Sequence, residues 1–197
     1  RNVLNLYAGS KIIGGNCGMV MTGGFSNTIN IKQYAEADVN YVLFDVKYHT
    51  SSYGAAYSTT FAIENDNSKP KVGLKITKPF QRNGTVIVSG THIQGLELDC
   101  AKAVKLANNN RCLHGEVTIK SGTTLVLQGG DMIPYSTSND FALNLYGTLD
   151  CGSFRQTLSA EGGNNVINLF DGARITGTGS ANGGYTSILD ISQNQVF

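Results

Sequence analysis

Residues 165–178 read NVINLFDGARITGT, and residues 2–15 read NVLNLYAGSKIIGG. Asn165, Val166, Asn168, Leu169, Gly172, Ile175 and Gly177 repeat Asn2, Val3, Asn5, Leu6, Gly9, Ile12 and Gly14. Mismatches such as Ile167 for Leu4, Phe170 for Tyr7 and Arg174 for Lys11 keep the chemistry. Between these copies the unit recurs in reduced form. Val117-Thr-Ile119-Lys-Ser-Gly122-Thr-Thr-Leu125 sets a glycine and a small residue between two apolar stretches. Val88-Ser-Gly90-Thr-His-Ile93 and Leu145-Tyr-Gly147-Thr-Leu149 shorten the gap by one.

Each unit reads as two short strands joined at a corner. Apolar and polar residues alternate, as in Val166-Ile-Asn-Leu169, so that one face is buried and the other is wet. Glycine at the corner is expected to supply a positive φ that a β-branched residue resists. One such unit cannot bury its apolar face alone. Stacking coil on coil makes a continuous core, which is the logic of a solenoid. The expected fold is all-β, a right-handed, single-stranded parallel β-helix spanning residues 1–197 as one domain. At roughly 20–25 residues per coil it would make about eight coils. A β-sandwich would use Asn83-Gly84 and Asp171-Gly172 as hairpin turns, but it gives no reason for one corner motif to recur along the chain.

Two stretches complicate the pattern. Residues 97–108 have some helical propensity, yet Leu96, Leu98 and Cys100 alternate with Glu97 and Asp99, which favours strand. Residues 32–82 hold Pro70, Pro79 and the polar run Glu64-Asn-Asp-Asn-Ser-Lys69, and read as irregular coils with enlarged loops.

Composition narrows the function. Only 15% of the 197 residues are charged, while 41% are hydrophobic and 24 are glycine. Solubility then rests on Asn, Ser and Thr rather than on charge. The net charge of +1 offers no clustered basic surface for a nucleic acid. No apolar run approaches the ~18 residues of a membrane span. The chain starts at Arg1 rather than Met, which fits part of a larger product.

Cys17, Cys100, Cys112 and Cys151 show no CxxC spacing, and His49, His92 and His114 are scattered, so no metal site or cofactor is expected. Cys100 and Cys112 are close enough in sequence for a small disulfide loop. Buried free thiols acting as small hydrophobes are the plainer reading. There is no GxSxG elbow, no P-loop and no GxGxxG opening a helix.

The recurrent Asn-Val-Ile-Asn-Leu and Gly-Ala-x-Ile-Thr-Gly segments resemble β-helical phage tailspikes and, secondly, bacterial autotransporter passengers. Resemblance to tailspikes implies a virion protein, a homotrimer that binds and often cleaves bacterial surface polysaccharide. Resemblance to passengers implies a non-catalytic adhesin or stalk at the bacterial surface. Four cysteines tilt the comparison toward the phage proteins. Neither family supplies a residue motif that transfers to this chain.

Candidate residues therefore come from chemistry alone. Glycoside cleavage uses two carboxylates. Glu97 and Asp99, two apart on an outward strand face, are the best local pair, with their Cβ atoms roughly 6–7 Å apart; a solvated strand face is the bland alternative. Glu64 and Asp66 make a weaker pair, and Asp150, Glu161, Asp171 and Asp190 stand alone in the sequence. For binding, Tyr48, His49, Tyr53 and Tyr57 form an aromatic group beside Ser and Thr hydroxyls, suited to the apolar faces of sugar rings. The same tyrosines would serve equally to fill the base of a loop or a subunit contact.

Overall fold

The computed structural model describes residues 2–7, 9–13, 19–20, 26–32, 36–39, 42–43, 57–63, 74–76, 84–91, 93, 96–99, 103–107, 112–132, 141–159, 165–178 and 189–192. These form an all-β parallel β-helix. One wall, sheet A, is eight-stranded in the order β1 (Asn2–Leu6), β4 (Ser26–Ile31), β7 (Tyr57–Ile63), β9 (Gly84–Gly90), β11 (Val104–Leu106), β13 (Thr124–Leu127), β15 (Thr148–Asp150), β18 (Arg174–Thr176). The facing wall, sheet B, is seven-stranded in the order β17 (Asn165–Leu169), β14 (Phe141–Leu145), β12 (Gly115–Ile119), β10 (Leu96–Leu98), β8 (Leu74–Ile76), β5 (Glu36–Val39), β2 (Lys11–Ile13). The strands alternate between the walls along the chain, and each wall is parallel throughout. Short pairings add a further side, after sheet B in the first coils and after sheet A from Ile93 onward. They are β3 (Met19–Val20) with β6 (Val42–Leu43), β16 (Gln156–Ser159) with β19 (Leu189–Ser192), and a bridge between Ile93 and Leu113.

Parallel pairing removes the sandwich alternative. The Asp171–Gly172 turn joins β17 to β18, which lie in different sheets and do not form a hairpin. Both ends of the 97–108 segment are strands, β10 and β11, as the alternation implies. Within residues 32–82 the described parts are the tail of the β4 segment and β5 to β8. Ser26 faces Ser58 in the β4–β7 ladder whereas Val86 faces Val104 in the β9–β11 ladder, so the coil through β5 and β6 is much the longer.

Alternation places the core. In β14, Phe141, Leu143 and Leu145 are buried while Ala142 and Asn144 face out. Coil stacking then sets like on like. Leu96, Val117 and Leu143 form one inner row, and Leu98, Ile119 and Leu145 form the next. Across the interior lie the sheet A rows, Ile29–Phe61–Val88–Leu106–Leu127 and Val86–Val104–Leu125–Leu149. All these side chains are at most 1% exposed. Burying each is worth about 1.5–3 kcal/mol, which is what an isolated coil lacks.

Two kinds of corner carry the chain from wall to wall. Long corners take the Gly9, Gly122 and Gly172 units, with φ of 78°, 79° and 80°. Each closes with one turn bond, donated by Ser10 to the Tyr7 carbonyl at 2.9 Å, Thr123 to Lys120 at 3.1 Å and Ala173 to Phe170 at 2.9 Å. Positive φ at the third turn position is the glycine requirement of a type II turn. The short corners correct the expectation. Gly90 and Gly147 do not have positive φ. They are glycine because a Cβ would be driven into backbone: at Gly147 into the Thr123 and Lys120 carbonyl oxygens, at Gly90 to 2.5 Å from the Ile63 carbonyl.

The two best copies of the repeat do not occupy the same place. In 2–15 the unit runs from sheet A (β1) to sheet B (β2), whereas in 165–178 it runs from B (β17) to A (β18). One sequence thus serves both edges of the solenoid.

Cys112 and Cys151 are buried free thiols. The disulfide considered between Cys100 and Cys112 is therefore not formed; Cys100 itself lies outside the described residues, as does Cys17. Burial pushes both described thiols up to about 12, with the nearby Asp150 carboxylate adding to the effect on Cys151. Such thiols are inert hydrophobes at neutral pH. Gln156, fully buried on the third side, accepts from the Met132 amide and donates to the Gly129 carbonyl, both at 2.8 Å. It ties one coil to the next.

Candidate functional site: the outer wall and its corner

Stacked coils bring together residues that are far apart in sequence. On the outer face of sheet B, Glu97, Thr118, Asn144 and Asn168 fall in one register row, with Lys75 continuing it past Glu97. Asn168 Nδ2 donates to Asn144 Oδ1 at 2.9 Å. Asn144 Nδ2 donates in turn to Glu116 Oε1 at 3.0 Å and to Thr118 Oγ1 at 3.5 Å. This is an amide ladder that ends on a carboxylate. The same column of the repeat makes a second ladder on sheet A, where Asn30 Nδ2 donates to Asn5 Oδ1 at 2.6 Å.

Alongside the sheet B ladder runs the corner itself. Each of these turns presents one large side chain outward: Lys120, Tyr146 and Phe170. Main-chain bonds hold the turns in step, from the Lys120 amide to the Leu98 carbonyl at 2.9 Å, Tyr146 to Ile119 at 2.9 Å and Phe170 to Leu145 at 3.0 Å. The Tyr146 and Phe170 rings stack nearly parallel, with centroids 3.9 Å apart and planes 8° apart. Lys120 Nζ sits 5.6 Å from the Tyr146 centroid on a cation–π contact, and 3.9 Å from Glu97 Oε1. The row Lys120–Tyr146–Phe170 thus follows the helix axis at one residue per coil, and the Lys120 side chain reaches back diagonally to Glu97, which belongs to the neighbouring row. Phe170 remains 40% exposed.

The acid pair proposed from sequence falls on this surface. Glu97 is half-buried and faces outward between Leu96 and Leu98, and Asp99 is exposed just past the strand. Glu116 joins them from the next coil, diagonal to Glu97 because Glu97 is in register with Thr118. With a strand rise of ~3.3 Å and strands ~4.8 Å apart, such a diagonal sets the Cβ atoms about 8 Å apart. At the far end of the row, Asp171 is exposed on the Phe170 turn. Asp150 is instead engaged locally, accepting from the Gly152 amide at 2.9 Å.

Of the proposed aromatic group, Tyr48, His49 and Tyr53 lie outside the described residues; Tyr57 opens β7, but its side chain is not described. Sequence reading missed Lys120, Tyr146, Phe170, Glu116 and the two asparagines. A usable signal was present. Counted from the apolar residue that ends each strand (Ile119, Leu145, Leu169), Lys120, Tyr146 and Phe170 occupy equivalent positions, and so do Thr118, Asn144 and Asn168; the corner glycine follows one residue sooner at Gly147 than at Gly122 and Gly172.

Among the described residues no group of three or more His, Cys, Asp or Glu side chains is placed to hold a metal ion, and no helix is long and apolar enough to cross a membrane. No protein-family model matches this chain, and no curated protein or solved structure matches it either.

Proposed function

We propose that this chain is a polysaccharide-recognising segment of a phage tailspike-type virion protein, acting on bacterial surface glycan as part of a homotrimer. The observation that carries the proposal is the outward-facing row Lys120–Tyr146–Phe170, partly exposed at Lys120 and Tyr146 and exposed at Phe170, lying beside the Asn144–Asn168 amide ladder. An extended polymer needs contacts repeated along a line. A β-helix supplies them at the coil spacing of ~4.8 Å. Aromatic edges meet the C–H surfaces of sugar rings, and amides meet their hydroxyls. The wall is already ordered by stacking, so little freedom is lost on binding.

Recognition without cleavage is the primary reading. Glu97 is paired with Lys120 at 3.9 Å and Glu116 accepts from Asn144, which suits a surface that holds its acids in place by ion pairing and hydrogen bonding. Depolymerase activity is the extension, with Glu97 and Asp99 as its acids. The test is a panel of bacterial surface polysaccharides, scored for binding, new reducing ends and oligomeric state by light scattering. Binding that falls at least tenfold in Tyr146→Ala and Phe170→Ala supports the reading. Reducing ends that vanish in a Glu97→Gln, Asp99→Asn double variant add catalysis to it. A monomer that binds no glycan refutes it and leaves the adhesin stalk.

A further inference from the structure

We infer, resting on the glycan-binding reading above, that the sheet B wall takes an uncharged, hydroxyl-rich polysaccharide and rejects chains decorated with carboxylate, sulfate or phosphate. The inference comes from the hydrogen-bonding polarity of the wall. Its amide ladder is directional: Asn168 donates to Asn144, which donates to Glu116 and Thr118. Asn144 turns both of its amide hydrogens inward along the ladder, and Asn168 one of its two. The Asn168 carbonyl oxygen, at the outer end, is not the atom used in that bond.

The charges lean the same way. Glu97, Asp99, Glu116 and Asp171 bring four carboxylates to the stretch of wall and corner between β10 and the β17–β18 turn. The described cation within this stretch is Lys120, held between Glu97 and the Tyr146 ring; at its borders Lys75 stands in register with Glu97 and Arg174 is exposed where β18 begins. Ionised carboxylates only accept hydrogen bonds. A surface rich in acceptors is matched by a ligand rich in donors, and sugar hydroxyls are donors. Anionic substituents bring more acceptors and like charge, and like charges set against each other disfavour binding.

The experiment compares dextran with carboxymethyl dextran, and neutral with uronic-acid-bearing surface polysaccharides, against the whole chain at low and moderate salt. Acidic polymers are expected to bind about tenfold or more weaker than neutral ones, with the gap narrowing as salt screens the wall. A Glu97→Gln, Glu116→Gln, Asp171→Asn triple variant, shown to be folded by circular dichroism, is expected to close the gap. Acidic polymer bound as tightly as neutral, and lost in Tyr146→Ala, would overturn this inference while leaving glycan recognition standing. A gap that persists unchanged in the triple variant would also overturn it, because the wall would then not be its cause. Failure to bind any polymer would overturn both readings.

Discussion

Replacing Gly147 with alanine should cost more than replacing Gly122, although Gly122 has the unusual backbone angle. Gly122 has φ near 79° with open space where a Cβ would stand. Alanine there carries the left-handed penalty of about 1–2 kcal/mol and little else. Gly147 carries no such penalty, but it is nested between the long corners of the coils on either side. A Cβ would overlap the Thr123 and Lys120 carbonyl oxygens, with the Ile119 side chain at 3.2 Å. Neither carbonyl is free to swing aside, since each belongs to a bonded corner. The chain must move outward instead. That strains the bonds from Tyr146 and Gly147 to the Ile119 carbonyl (2.9 and 3.1 Å), from Thr148 to Thr123 (2.9 Å) and from Arg174 to Gly147 (2.9 Å). Losing two of them at ~1 kcal/mol each, plus 1–3 kcal/mol of overpacking, gives about 3–5 kcal/mol. Equilibrium urea unfolding followed by far-UV circular dichroism, at comparable m, reads both variants. Equal costs, or a larger cost at Gly122, would refute close packing as the reason for glycine at the short corner.

Above pH 9 the protein should lose stability through its buried thiols. Cys112 and Cys151 hold their protons up to about 12 when folded but ionise near 9.0 when exposed. Between those values the unfolded chain binds fewer protons, so stability falls as pH rises, by about 1.4 kcal/mol per pH unit for each thiol. A Cys112→Ala, Cys151→Ala variant measured across pH 8–11 should lose that extra slope, and an unchanged slope would count against it. Gln156→Leu strands the Met132 amide and the Gly129 carbonyl in the interior, at about 2–4 kcal/mol for the pair. Faster hydrogen exchange at the Met132 amide should accompany the loss, and a neutral substitution would mean that the Gln156 bonds contribute nothing.

The fold was legible because its signals are local. Asp171-Gly172 and Ser121-Gly122 mark corners within a few residues, and the alternation in Phe141–Leu145 names its own buried face. What the glycines do was only half legible. Gly122 and Gly147 look alike in sequence, yet one is there for its backbone angle and the other for its missing side chain. The surface was harder still. Reading along a strand pairs Glu97 with Asp99, whereas stacking pairs Glu97 with Lys120, Asn144 with Asn168 and Tyr146 with Phe170. Those partners are one coil apart, 24 residues for the two asparagines. Their register depends on every loop length in between, which local periodicity does not contain.

The double use of one repeat has a consequence for direction. At the β1 end the tight glycine turn follows the sheet A strand, and the extra short strands β3 and β6 come after sheet B. At the β18 end the tight turn follows sheet B, and β16 comes after sheet A. The narrow ridge of the rod therefore changes sides along its length, and the broad flank changes with it. A polymer lying lengthwise on one edge meets ridge over part of its course and flank over the rest. It cannot be turned end for end without exchanging the two, so under the proposed glycan-binding role the rod would distinguish the two directions of a bound chain.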